Sequence, residues 1–206
     1  MDKKYRVYVV LESVVDLRDG SMHGYWVLTR IKTGDSEISF SEIANKDIRR
    51  RAEEMTIRYV AGKVPNKRLF INPPQSIPMN MLPLLSKNFV ICLPMDLSLK
   101  ETAEVLSFVK KSGLKSALNN YKTVGYDLSN IRLGAFDYVF FSDDFYTNAS
   151  KSDLEKIVAS MKLFKTILCF KNIDSQKKLD LALDLGIDLG HGYFFGSEEH
   201  VVGIIE

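Results

Sequence analysis

The chain has 206 residues, with 28 Lys plus Arg against 26 Asp plus Glu and only two cysteines. That length suits a single domain with a sizeable core and no need of a disulfide or metal staple. The formal net charge of +2 excludes a strongly basic wrapper of nucleic acid and an acidic solvating tail, and the 46% hydrophobic content argues against disorder.

At the N-terminus, Tyr8-Val9-Val10-Leu11 is interrupted by Glu12, too short a run for a signal peptide or a membrane span. Residues Arg6 to Leu17 read as a strand, Arg18-Asp19-Gly20 as a turn, and Tyr25 to Ile31 as a second strand, giving a hairpin. Ile48, Ala52, Met55 and Tyr59 then recur at helical spacing. Arg49, Arg50 and Arg51 lie off that stripe and read first as a solvated face, and second as a docking patch for an acidic partner. Strands follow over Arg68 to Ile71 and Phe89 to Leu93, separated by a Pro-rich stretch that its own Met and Leu residues mark as packed rather than hinged.

Ser98 and Glu101 form a capping box for the next helix, and Gly113 ends it. Strand Lys115 to Leu118, a short helical piece around Leu128 and Ile131, and strand Tyr138 to Phe141 come next. Ser152 and Glu155 read as a second capping box, ahead of inward-facing Leu154, Ile157, Val158 and Met161. Strand Thr166 to Phe170, a helix from Ser175 closed by Gly186, and a strand from Ile187 to Phe195 complete the chain. Cys92 and Cys169 sit within apolar runs and read as buried core thiols, lying inside neighbouring strands. Free thiols and the lack of a leader or span place the expected protein in the cytoplasm, off the membrane.

Alternating short apolar strands and helices imply parallel strands covered by helices. No Gly-x-Gly-x-x-Gly follows the first strand and no Gly-x-x-x-x-Gly-Lys-Ser/Thr occurs, so an open nucleotide-binding sheet has no phosphate cradle. An α/β barrel is expected over residues 1–206 as one domain, shorter than the ~250 residues typical of such barrels.

Several segments together resemble the EAL domain, the cyclic-di-GMP phosphodiesterase family. Val14-Val15-Asp16-Leu17 is similar to its opening hairpin, and Gly24-Tyr25-Trp26-Val27-Leu28-Thr29-Arg30 falls where the Glu-Ala-Leu and its following arginine belong. Phe70-Ile71-Asn72-Pro73 resembles the strand ending in a ligand asparagine. Asn119-Asn120-Tyr121 stands for Asp-Asp-Phe, and Asp137-Tyr138-Val139 for the start of Asp-Tyr-Ile-Lys-Ile-Asp. Leu185-Gly186-Ile187-Asp188 and Gly192-Tyr193-Phe194-Phe195-Gly196 match the closing pattern. The resemblance implies a modified TIM barrel with one antiparallel strand.

It also implies a hydrolytic site in which carboxylates and one asparagine hold two divalent cations that activate water. This sequence departs from that set. Trp26 replaces the first glutamate, Cys92-Leu93-Pro94-Met95 replaces Glu-x-x-Glu, Asn119 and Asn120 replace the aspartates, Phe140 and Ser142 replace the lysine and the aspartate after it, and Lys171 stands where a carboxylate belongs. Asn72 alone persists among the ligands, and His23, His191 and His200 lack metal-ligand spacing. No catalysis, metal or cofactor is therefore expected.

Two functions remain. The first is a regulator that binds another protein through its surface, with Arg49, Arg50 and Arg51 as candidate contacts; degenerate members of the family antagonise regulators of motility. The second is a non-hydrolysing cyclic-di-GMP receptor using Arg30, Asn72 and His191 at the barrel mouth. Arg30 retains a phosphate-facing position, where a guanidinium fork suits phosphate oxygens, but Glu12 replaces a nucleotide-facing glutamine. The interaction reading ranks first. An unrelated enzyme on the same barrel would need a paired acid and base or an activated nucleophile, and none is legible.

Overall fold

In the computed structural model, the residues described are 4–34, 36–38, 40–64, 66–122 and 136–206. The expected helical piece around Leu128 and Ile131 lies outside them.

Strand β1 (Tyr5–Asp16) and β2 (Met22–Thr33) form the hairpin, and β3 (Ser36–Ile38) pairs with the end of β2. Five further strands, β4 (Arg68–Ile71), β5 (Phe89–Pro94), β6 (Lys115–Tyr121), β7 (Tyr138–Phe141) and β8 (Ile167–Phe170), run parallel to β2 in that order. Strand β9 (Leu189–His191) joins β8 in parallel and β1 antiparallel, closing an eight-stranded mixed barrel. β1 is antiparallel to both barrel neighbours, so its N-terminal half rises past the rim formed by the C-terminal ends of the others. There it is flanked by β10 (Ser197–Ile205).

The parallel strands are near-continuous apolar runs because both faces are covered. Outside, helices α1 (Lys46–Lys63), α3 (Leu99–Ser112), α5 (Lys151–Lys162) and α6 (Gln176–Asp184) cover the strands, with shorter α2 (Leu82–Leu85) and α4 (Asp143–Asn148) between. Inside, Trp26, Phe70, Cys92, Phe140, Cys169 and Leu189 belong to one buried cluster. Phe70 is fully buried, its ring 5.1 Å from those of Tyr138 and Phe140 and 6.5 Å from that of Trp26. The barrel is plugged at mid-height by aromatics.

The Ser98–Glu101 capping box and a left-handed Gly113 (φ 69°) bound α3 as read. Helix α5 differs: Ser150, not Ser152, caps it, accepting from the Asp153 N–H. Ser150 has the extended backbone an N-cap requires, whereas Ser152 already lies within the helix. The buried line of α1 runs through Ala52, Thr56, Ile57 and Val60, with Ile48, Met55 and Tyr59 on its margin. The strand expected to reach Phe195 ends at His191, because Gly192 (φ 143°) breaks it and Tyr193–Phe195 form a single 3-10 turn.

Cys92 and Cys169 are both fully buried and free, but β5 and β8 are separated by β6 and β7 rather than adjacent. Burial pushes both thiols well above the ordinary cysteine range, so neither forms thiolate readily. A thiol reagent should leave both unmodified in the native protein and label both on denaturation; rapid native labelling would contradict the packing. Among the described residues, no helix is long and apolar enough to cross a membrane.

Candidate functional site at the barrel mouth

The C-terminal ends of barrel strands are where this architecture places chemistry. At the mouth the central feature is Lys171, immediately after β8. Its ammonium donates to Asn119 Oδ1 at 3.1 Å and Asn120 Oδ1 at 2.9 Å, and lies 4.4 Å from the centre of the Trp26 ring.

Local backbone explains how two consecutive asparagines reach one lysine. Successive strand residues ordinarily face opposite sides. Strand β6 breaks its register between Leu118 and Tyr121, and Asn120 adopts a left-handed φ of 56°, a conformation asparagine tolerates better than most residues. The bulge thus turns both carbonyl oxygens onto the lysine. The Lys171 backbone is fixed in turn: its carbonyl accepts from Tyr146 at 2.5 Å, and the Tyr146 ring stacks on Phe170 at 4.0 Å and 3°.

A second pair lines the wall. His191 Nε2 lies 2.7 Å from Glu12 Oε2. The hydrogen bond from His191 holds the Glu12 carboxyl below its ordinary range, so the carboxylate is ionised and accepts only. Nε2 therefore carries the proton, and buried Nδ1 has no hydrogen-bond partner among the described residues.

The two divalent cations implied by the resemblance do not fit these residues. Hard cations require oxygen donors, preferably charged. The mouth offers Asn119 and Asn120 oxygens already taken by an ammonium, and among the described residues no three His, Cys, Asp or Glu side chains are grouped to hold a metal ion. A fixed cation occupies the asparagine oxygens.

Burial drives the Lys171 pKa below the ordinary lysine value of 10.5. The unfolded chain keeps this proton up to that value while the folded chain releases it earlier, so this group makes stability rise with pH across the interval. Lys171→Met should remove that rising component, seen as a changed difference between urea midpoints at neutral pH and at about pH 10. An unchanged difference would contradict a partly desolvated ammonium at this position.

The expected residues are only partly gathered. His191 is buried in the wall. Asn72 is exposed just beyond β4, and the loop that follows it is held by the Glu53 carboxylate, which accepts from the N–H groups of Gln75 at 3.0 Å and Ser76 at 2.6 Å. Arg30 sits higher, where its guanidinium pairs with Glu37 of β3 at 3.4 Å. Arg49, Arg50 and Arg51 lie on α1 rather than at the mouth. Arg50 is ion-paired within the helix, to Asp47 at 2.6 Å and Glu54 at 3.2 Å, while Arg49 and Arg51 are half-buried. Position-by-position reading marked Lys171, Asn119 and Asn120 as departures but missed that they bind one another.

No family model matches the sequence, and no curated protein matches it. Solved structures do resemble it. The Bacillus subtilis YkuI protein, with an EAL domain and solved in complex with substrate c-di-GMP and calcium, gives a TM-score of 0.77 at 17% identity, covering 97% of this chain and 57% of that one. The EAL-like domain protein YdiV gives 0.74 at 12% identity, covering 94% and 93%. An EAL domain protein from Listeria monocytogenes EGD-e gives 0.72 at 14%, covering 96% and 89%. This chain spans little more than half of YkuI and most of the other two. Likeness at these identities establishes the fold: a closed mixed barrel with helices, of the EAL type.

Proposed function

We propose that this protein is a catalytically inactive EAL-like barrel that regulates by binding another protein, acting in the cytoplasm. The observation that carries the first half is the Lys171 ammonium held by Asn119, Asn120 and the Trp26 ring where hydrolysis would need divalent cations. A half-buried cation there repels a metal, and the asparagine oxygens that hold it are neutral.

The second half rests on what the surface presents. Tyr193 and Phe194, in the turn after β9, are 81% and 46% exposed beside the mouth, an aromatic pair of the kind enriched at protein interfaces. Arg49, Arg50 and Arg51 form the other proposed contact, with Arg50 already offset by Asp47 and Glu54. Capture from native extract should recover one protein with the wild type and lose it with Tyr193→Ala/Phe194→Ala or Arg49→Glu/Arg51→Glu.

A non-hydrolysing cyclic-di-GMP receptor is the second reading. It is favoured by Arg30, whose ion pair with Glu37 is solvent-exposed on both sides and therefore easily exchanged for a phosphate. Ionised Glu12 opposes it by repelling an anion at the same mouth. On the receptor reading, Arg30→Ala removes a charge-assisted hydrogen bond of about 1.5–3 kcal/mol and weakens binding roughly ten- to a hundredfold. On the interaction reading, calorimetric titration of the wild type shows no saturable uptake at micromolar ligand, which is the expected outcome.

A further inference from the structure

A second concavity lies at the opposite end of the barrel. It has a volume of about 490 Å³ and is lined by His23, Arg68, Lys115, Asp137, Tyr138 and Lys165, with Phe136, Phe164 and Ile167 as apolar walls. These residues come from the N-terminal ends of β2, β4, β6, β7 and β8 and from the turn entering β8. The aromatic plug around Phe70 separates this cavity from the mouth.

Its charge is lopsided. Three cations, Arg68, Lys115 and Lys165, face one carboxylate, Asp137. Lys115 and Asp137 neutralise one another at 2.6 Å, and Asp137 also accepts from the Ser116 N–H at 2.9 Å. Arg68 and Lys165 are left as the net positive pair of the lining. The floor is polar but uncharged: His23 Nε2 meets the Tyr138 hydroxyl at 3.2 Å. Burial, reinforced by the Arg68 charge, keeps the imidazole below its ordinary pKa, and burial keeps the phenol above its own. The Phe164 ring remains 54% exposed at the rim. Leaving so large an aromatic surface in water is costly, and a flat apolar ligand body would cover it.

We propose that this basal cavity is a binding site for a small aromatic anion, its acidic group held by Arg68 and Lys165 and its ring seated between Phe164 and the His23–Tyr138 floor. The volume lies within the range of small-ligand pockets, and a mostly polar, net positive lining beside three apolar walls suits a ring that carries an acidic group. Neither the barrel mouth nor a metal takes part. The proposal therefore stands apart from the regulatory reading above.

Phenyl phosphate is a suitable probe, titrated calorimetrically against the intact chain beside inorganic phosphate and phenol. The expected result is saturable binding of phenyl phosphate, tighter than either fragment alone and weakened by salt, since Lys165 is exposed. Arg68→Gln should weaken it about tenfold or more. Lys165→Gly guards against a folding artefact. Lys165 holds a left-handed φ of 59°, which glycine adopts without strain, so this variant should keep its thermal midpoint while losing affinity. Lys100→Ala, an exposed lysine at the start of α3 with no part in either site, should change nothing. No saturable binding, phosphate binding as well without the ring, or affinity unmoved in both Arg68→Gln and Lys165→Gly would each overturn the proposal.

Discussion

Phe70→Ala should destabilise the fold by about 3–5 kcal/mol, the range for emptying a buried phenylalanine site. Phe70 has no exposed surface and packs against Trp26, Tyr138 and Phe140, with His23 stacked below it at 6.2 Å. Each ring pair adds about 0.5–1.5 kcal/mol beyond burial. The surrounding strands are closed into a ring and cannot collapse into the void, so the cost belongs at the upper end. Against a total stability of about 5–15 kcal/mol for a domain, this is a large share. Urea unfolding should show the midpoint falling with little change in slope. Leu84→Ala is the control: that side chain is 81% exposed, and its loss should cost within about 0.5 kcal/mol. Equal effects at the two positions would mean that the barrel interior is not packed as described.

Such a plug is consistent with how readily the fold could be read. Each parallel strand is covered on both faces, so its apolar run stands out locally, as in Phe89-Val90-Ile91-Cys92-Leu93 and Tyr138-Val139-Phe140-Phe141. Helix ends are also written in local chemistry, since Ser98, Glu101 and Gly113 act on their own neighbours. Strand β10 was not legible. Among the described residues it pairs with β1 alone, and it carries Glu198, Glu199 and His200 exposed or half-exposed beside Val201 and Ile204, so neither an apolar run nor a clean alternation marks it. The misplaced cap of α5 has a similar origin: Ser150 and Ser152 offer the same side chain two residues apart, and the choice rests on backbone dihedrals.

The candidate site was legible as a set of residue types and illegible as a set of contacts. Order along the chain brought Trp26, Asn72, Asn119, Asn120 and Lys171 to one rim. It could not bring Lys171 onto both asparagines, because that needs the bulge in β6, which no short-range pattern announces. Likewise Glu12 and His191 are 179 residues apart and meet only when β9 closes on β1. The Arg50 pairs were within reach, since Asp47 and Glu54 stand three residues before and four after it on one helix. Arg30 paired with Glu37 only because the chain turns back as the edge strand β3.

An ammonium stands at the mouth, on the asparagine oxygens that a two-metal site would need. Phosphodiester hydrolysis by a two-metal site depends on cations that both generate the nucleophile and neutralise the leaving oxygen. With Lys171 bonded to Asn119 and Asn120, and Trp26 beside it, neither cation finds a grouped set of carboxylates among the described residues. The lost rate should be large, since acidifying the attacking water and neutralising the leaving oxygen are both contributions of the metals. The direct measurement is hydrolysis of cyclic di-GMP by purified protein with Mg²⁺ or Mn²⁺, followed by chromatography of the linear product. No turnover above a metal-free control is expected, for the wild type and for Asn72→Ala alike. Metal-dependent turnover that persists through extensive purification and disappears in Asn72→Ala would contradict it.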